Sequence, residues 1–166
     1  SGIESTPLYR LLGGSRQHVS VGADFGIMDS LDDLLSNIQS AVDNNFPRVK
    51  LKYRPGWDLN MLRAVRSTFP TQTFHIDCNS GYRLSDLDHL KQLDEFGLAM
   101  IEQPLNHDDL MDHATLQTLI RTPVCLDESI SSVQMALQAI RLKSCQYINI
   151  KPGRVGGLTN ALLIHD

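Results

Sequence analysis

An ionisable residue recurs along this chain at intervals of 25, 25, 25 and 24 residues: Lys52, Asp77, Glu102, Asp127 and Lys151. Each follows a short apolar run rich in β-branched or aromatic residues, and between the runs lie stretches with helical periodicity. The runs predict strands over His18–Ile27, Arg48–Tyr53, Thr73–Asn79, Leu98–Leu105, Val124–Ser129 and Tyr147–Pro152. The intervening stretches predict helices near Ser30–Asn45, Asp58–Phe69, Ser85–Phe96, Asp108–Arg121 and Ser131–Leu142, with Ser30, Asp58 and Ser85 as caps. Strand–helix alternation of this kind requires parallel strands with crossover helices. An open nucleotide-binding sheet loses ground, because no Gly-x-Gly-x-x-Gly turn follows the first strand and no Gly-Lys-Ser/Thr loop is present. A unit that delivers one charged residue to the carboxyl end of each strand suits a β/α barrel, whose active sites are built at that end. The expected fold is therefore α/β, a (β/α)8 TIM-type barrel of which this chain holds about six βα units. Residues 1–17 are expected to be a helical linker and 18–166 the partial catalytic barrel.

Side-chain alternation along strands supports the same arrangement. Asp77 shares a face with His75 and Asn79, while Phe74, Ile76 and Cys78 face the other way. Lys151 shares a face with Asn149, and Lys52 with Lys50. Polar residues inside and apolar residues outside describe a barrel mouth sheathed by helices. Asp77, Glu102 and Asp127 would lie on adjacent strands about 4.8 Å apart, an all-oxygen set for a hard divalent cation. Magnesium is the expected metal, with manganese as an alternative. Lys52 and Lys151, four strands apart, would flank the metal arc as proton-transfer groups, with Lys50 as a supporting charge beside Lys52.

Any one of these residues has a plainer reading. A lone Lys-x-Lys is usually an exposed strand face, and single acids at strand ends are usually caps or solvated charges. Glu128 is expected to point away from Asp127 as a structural residue, and His75 to pack on the inner face. His107, His113 and His165 read as surface or helix residues. Gly156-Gly157 reads as a tight turn rather than a phosphate site, and Trp57 fits either core or a loop brace. The weight lies in the register of all five.

Composition narrows the function classes. A net charge of −4 gives no basic footprint for nucleic acid. No apolar run approaches the roughly 20 residues of a membrane span, and Ser1-Gly2-Ile3-Glu4 lacks a signal-peptide pattern. Cys78, Cys125 and Cys145 lack metal-ligand spacing and read as reduced, mostly buried thiols of a cytoplasmic protein.

At Val49-Lys50-Leu51-Lys52, Pro55-Gly56-Trp57-Asp58, Ile76-Asp77-Cys78-Asn79, Ile101-Glu102-Gln103-Pro104-Leu105, Cys125-Leu126-Asp127-Glu128-Ser129 and Asn149-Ile150-Lys151-Pro152-Gly153-Arg154-Val155-Gly156-Gly157, the chain resembles the enolase superfamily. The resemblance is to its muconate-lactonizing-enzyme-like branch, within the group of o-succinylbenzoate synthases and N-succinylamino acid racemases. It implies Asp77, Glu102 and Asp127 as metal ligands, Lys52 and Lys151 as the lysines on the two substrate faces, and Asn79 as a polar support. A Lys or His base combined with magnesium is the superfamily's known pairing. The implied activity is abstraction of a proton α to a carboxylate with loss of water, yielding an intermediate of menaquinone biosynthesis. The alternative is racemisation through the same residues. Pro7–Gly14 resembles the helix entering the first barrel strand. The family's capping domain and last two strands have no counterpart here, so a truncated, non-catalytic barrel is a further expectation. Open sheet edges predict a homo-oligomer or association through those edges.

Overall fold

Six parallel strands follow one another across a single sheet in sequence order, from Ala23–Phe25 (β1) through Arg48–Lys52 (β2), Thr73–Asp77 (β3), Ile101–Glu102 (β4) and Val124–Leu126 (β5) to Tyr147–Ile148 (β6). This computed structural model describes residues 5–166, so the first four residues of the expected 1–17 linker, and the Ser1–Glu4 start with them, lie outside the described residues. An open doubly wound sheet reverses its strand order at a switch point. No reversal occurs here, and the order is that of a partial β/α barrel.

Helices fill the connections: Leu31–Asp43 (α2), Leu59–Thr68 (α3), Leu87–Gln92 (α4), Leu110–Leu119 (α5), Val133–Leu142 (α6) and Leu158–His165 (α7), with a single turn at Leu8–Leu11 (α1) before β1. The core forms between them and the outer face of the sheet. Val49, Leu51, Phe74, Ile76 and Leu126 are all at most 1% exposed. They meet helix stripes such as Leu34, Ile38 and Ala41 of α2, spaced to share one helical face. Burying each large apolar side chain contributes about 1.5–3 kcal/mol, enough to fix which sheet face turns outward.

Local chemistry sets several boundaries. Ser30 caps α2 as expected, accepting from Asp33 N at 3.1 Å. Asp58 stands at the start of α3 but its carboxylate accepts from Gly56 N at 3.0 Å instead of capping the helix. The helix expected over Ser85–Phe96 is broken into 3-10 turns at Leu84–Asp86 and Leu93–Glu95 around the short α4, and Ser85 is not its cap. Two of its acids serve other backbone: Asp86 accepts from Arg83 N, and Asp94 from the Arg121 and Thr122 amides. The first strand, at one edge of the sheet, is shorter than His18–Ile27, its ladder with β2 covering only Ala23–Phe25. The other edge, β6, also pairs on one side only and is likewise short. Trp57, ambiguous in sequence, braces the turn after β2. Its backbone exchanges hydrogen bonds with Arg54 across Pro55-Gly56, where Gly56 has φ +84°.

Candidate active site

Lys52, Asp77 and Glu102 stand side by side, because Lys52 pairs in register with Asp77 and Asp77 with Glu102. Asp127 follows immediately on β5 and Lys151 lies just past β6, so the row climbs along the sheet while staying on its inner face. The three carboxylates are almost fully buried, at 2%, 1% and 0% exposure. Ions of that kind are tolerable only when paired and hydrogen-bonded.

They are paired throughout. Lys50 Nζ reaches Asp77 Oδ2 and Glu102 Oε2, each at 2.8 Å. Lys52 Nζ donates to the same Asp77 oxygen at 2.7 Å and to Asn79 Oδ1 at 2.5 Å. Asp77 Oδ1 accepts from Asn79 N at 3.0 Å, and Glu102 Oε1 from Asn149 Nδ2 at 2.8 Å. Asp127 Oδ2 takes Lys151 Nζ at 2.7 Å, while its Oδ1 takes the Arg154 guanidinium. Burial works to raise the Asp77 carboxyl, but bonds from Lys50 and Lys52 outweigh it and hold it below the usual carboxylate range. Asp127 is likewise held low against its own burial by Arg154 and Lys151. For Lys50, burial disfavours the ammonium, yet Asp77 and Glu102 together hold it charged well above the ordinary lysine value.

The backbone turns sharply after two of the carboxylates. Asn79 and Ser80 after Asp77, and Gln103 after Glu102, have φ of +43°, +61° and +40°. A left-handed conformation is uncommon for residues other than glycine, and it clusters where structure over-determines geometry. At Gln103 the determinant is visible. The side chain is fully buried, its Oε1 accepts from Asp127 N and Ser129 N, and its Nε2 donates to Ser129 Oγ and Leu105 O. It therefore staples the end of β4 to the loop carrying Asp127.

The five residues expected from sequence, with Lys50 and Asn79, thus occupy one rim. They are not gathered on a single point: among the described residues no three His, Cys, Asp or Glu side chains are close enough to hold a metal ion. Asp77 and Glu102 share a cation in Lys50, whereas Asp127 turns to Lys151 and Arg154. The donor set, oxygen only and anionic, matches a hard divalent cation. The Lys50 ammonium already demonstrates that one positive centre can bridge two of the three.

Glu128 corrects its expectation. Its Oε1 accepts from Asn79 Nδ2 at 2.8 Å, tying it to the residue that holds Lys52, and its Oε2 is buried without a hydrogen-bond partner. His113 lies within α5, one of the two settings expected for it, with its side chain fully buried. His75 is buried on the inner face, as expected. Sequence reasoning passed over Gln103, Arg154 and Glu128 as site residues. Each lies within a few positions of a recognised carboxylate or lysine, which was the available signal.

The sequence matches the family described as enolase C-terminal domain-like over residues 33–166. Over 160 residues it is 52% identical to an o-succinylbenzoate synthase of Geobacillus kaustophilus, covering 96% of this chain and 43% of that protein. It is 46% identical over 159 residues to an N-succinylamino acid racemase of Thermus thermophilus, again covering 96% of this chain and 43% of the relative. A solved enolase-superfamily structure from Listeria innocua superposes with a TM-score of 0.89 at 41% identity, covering 95% of this chain and 42% of that one. The chain therefore spans less than half the length of the relatives it matches. With a sequential parallel sheet, a rim of alternating lysines and carboxylates and a family match over most of its length, the chain belongs to the enolase C-terminal domain-like family of the enolase superfamily.

Proposed function

We propose that this chain carries the proton-abstracting half of a carbon–oxygen lyase, an o-succinylbenzoate synthase of menaquinone biosynthesis acting on a small carboxylate substrate. The observation that carries the proposal is the placement of Lys52 and Lys151 at the two ends of the Asp77–Glu102–Asp127 arc, each 2.7 Å from the carboxylate at its end.

Asp77, Glu102 and Asp127 are the residues that would hold magnesium, or manganese in its place, and the ion's chemistry is to offset negative charge building on the substrate carboxylate. Lys52 as the free amine takes the proton α to that carboxylate, and its Nζ is aimed by Asp77 and Asn79. The C–H electron pair becomes the new carbon–carbon double bond, the β C–O bond breaks, and the departing hydroxide leaves as water by taking up the proton that Lys52 has accepted. Lys151, paired to Asp127, supplies positive charge on the other side of the substrate. Arg154 fixes Asp127 so that Lys151 keeps its direction.

A racemase reading is favoured by one feature: the two lysines have like settings, each bonded at 2.7 Å to a buried carboxylate. In that reaction both would exchange protons at a single carbon. A cytoplasmic location and self-association through β1 and β6 belong to the same reading. The latter is supported by exposed Val19 and Val21 in the segment leading into β1 and by exposed Tyr147 on β6. No described helix is long and apolar enough to cross a membrane. The 166-residue chain by itself is expected to turn over slowly or not at all.

A substrate panel separates these readings. Dehydration of the cyclohexadiene substrate, lost in Lys52→Ala, supports the synthase. Racemised N-succinylamino acids with no dehydration product would overturn it in favour of the racemase. Turnover at ordinary enzyme rates by the monomeric 166-residue chain would refute the expectation of weak activity.

A further inference from the structure

We propose that Lys50 is a resident counter-cation of the rim, competing with the divalent metal for Asp77 and Glu102 and keeping the strand ends assembled when no metal is bound. The inference rests on the metal reading above and adds a role for a residue outside the proton transfer.

Four cations serve the three carboxylates, and Lys50 differs from the others. Lys52 touches only Asp77, and Lys151 and Arg154 touch only Asp127. Lys50 alone among the described cations joins two of the carboxylates, and so links β3 to β4. It is also the most enclosed, with a side chain 16% exposed against 33%, 47% and 26% for Lys52, Lys151 and Arg154. β4 contributes only Ile101 and Glu102 to the sheet, and the backbone bonds Ile76 N to Met100 O and Cys78 N to Glu102 O that seat Glu102 beside Asp77 also press the two carboxylates together. Without an ammonium between them, two neighbouring buried carboxylates would repel and their strand ends would part. All six oxygens of Asp77, Glu102 and Asp127 already accept from this chain's own donors. An arriving divalent ion therefore meets positive charge already seated on these oxygens, and the ammonium lying between two of the carboxylates, the one it repels most directly, is Lys50.

The test uses the chain with magnesium alone. Thermal unfolding is followed for wild type, Lys50→Met and Lys50→Gln in chelator and in excess Mg2+, with Mg2+ affinity measured by titration calorimetry. Lys50→Gln keeps a hydrogen-bond donor toward both carboxylates, so it guards against a packing failure in the Met variant. Both variants are expected to melt well below wild type in chelator and to recover most of that difference in Mg2+. Their Kd for Mg2+ is expected to tighten by about tenfold or more, since no ammonium has to be displaced. An equal loss of melting temperature with and without Mg2+, or a Kd unchanged or weakened, overturns the inference while leaving the metal site standing. Failure of wild type and both variants alike to bind Mg2+ overturns the metal reading and this inference with it.

Discussion

Replacing Gln103 by Leu should destabilise the protein far more than a surface polar substitution does. Leu keeps roughly the volume and offers no acceptor. The backbone N–H groups of Asp127 and Ser129, both in buried hydrogen bonds to Gln103 Oε1 at 2.9 and 3.1 Å, would lose their partner. An orphaned buried donor costs roughly 1–3 kcal/mol, so the pair costs about 2–6 kcal/mol. Leu105 O and Ser129 Oγ lose a donor as well, although the hydroxyl can turn to another acceptor. Against a total stability of about 5–15 kcal/mol, a loss near 4 kcal/mol is a large fraction. For a domain of this size it lowers Tm by about 8–16 °C. Urea denaturation followed by circular dichroism reads the difference directly. A loss below about 1 kcal/mol in Gln103→Leu would refute the reasoning, because it would mean the staple is not what satisfies the Asp127 loop.

Asp94 accepts from Arg121 N, Thr122 N and Thr122 Oγ1, so Asp94→Ala should cost about 2–3 kcal/mol in the same assay. Burial pushes the Asp94 carboxyl up, but those bonds outweigh it and hold it below its ordinary value. Its contribution is therefore complete above the usual carboxylate range and lost as pH falls through the folded value, a slope that Asp94→Ala should flatten. His113 is fully buried and neutral, its Nε2 accepting from Leu105 N at 3.2 Å and its Nδ1 donating to Asp109 O at 2.6 Å. Burial holds its folded pKa below the ordinary imidazole value, so stability is complete above that ordinary value and declines as pH falls below it, and His113→Gln should remove this part of the pH profile. Burial raises all three thiols, with Cys145 pushed up to about 11 and Cys78 enclosed entirely. A disulfide reagent at pH 8 should label half-buried Cys145 first, and Cys78 and Cys125 only on unfolding.

The parts of this molecule that repeat were legible in the sequence. Five charged residues at constant spacing specified parallel strands, their common end and their common face. Ser30 followed by Asp33 announced its helix. What sequence did not reveal depends on contacts between distant segments. Glu128 neighbours Asp127 in sequence and so points to the opposite face of an ideal strand. The chain has left the strand there, and Glu128 instead meets Asn79. Gln103 precedes a proline and adopts a left-handed backbone, which no alternation rule foresees. The helix over Ser85–Phe96 failed because Asp86 and Asp94 are used by neighbouring backbone rather than by helical solvation. Strands β1, β4, β5 and β6 came out shorter than their apolar runs, because ladder length depends on the neighbour as much as on the strand's own residues.

The central claim, that Asp77, Glu102 and Asp127 act as one set for a hard divalent cation, is tested most directly by titrating the chain with Mn2+ and following free ion by electron paramagnetic resonance. One site per chain is expected. It should be lost in Asp77→Asn, Glu102→Gln and Asp127→Asn, and kept in Lys52→Ala and Lys151→Ala. Binding that survives all three carboxylate substitutions, or no binding by the wild-type chain, would contradict the account.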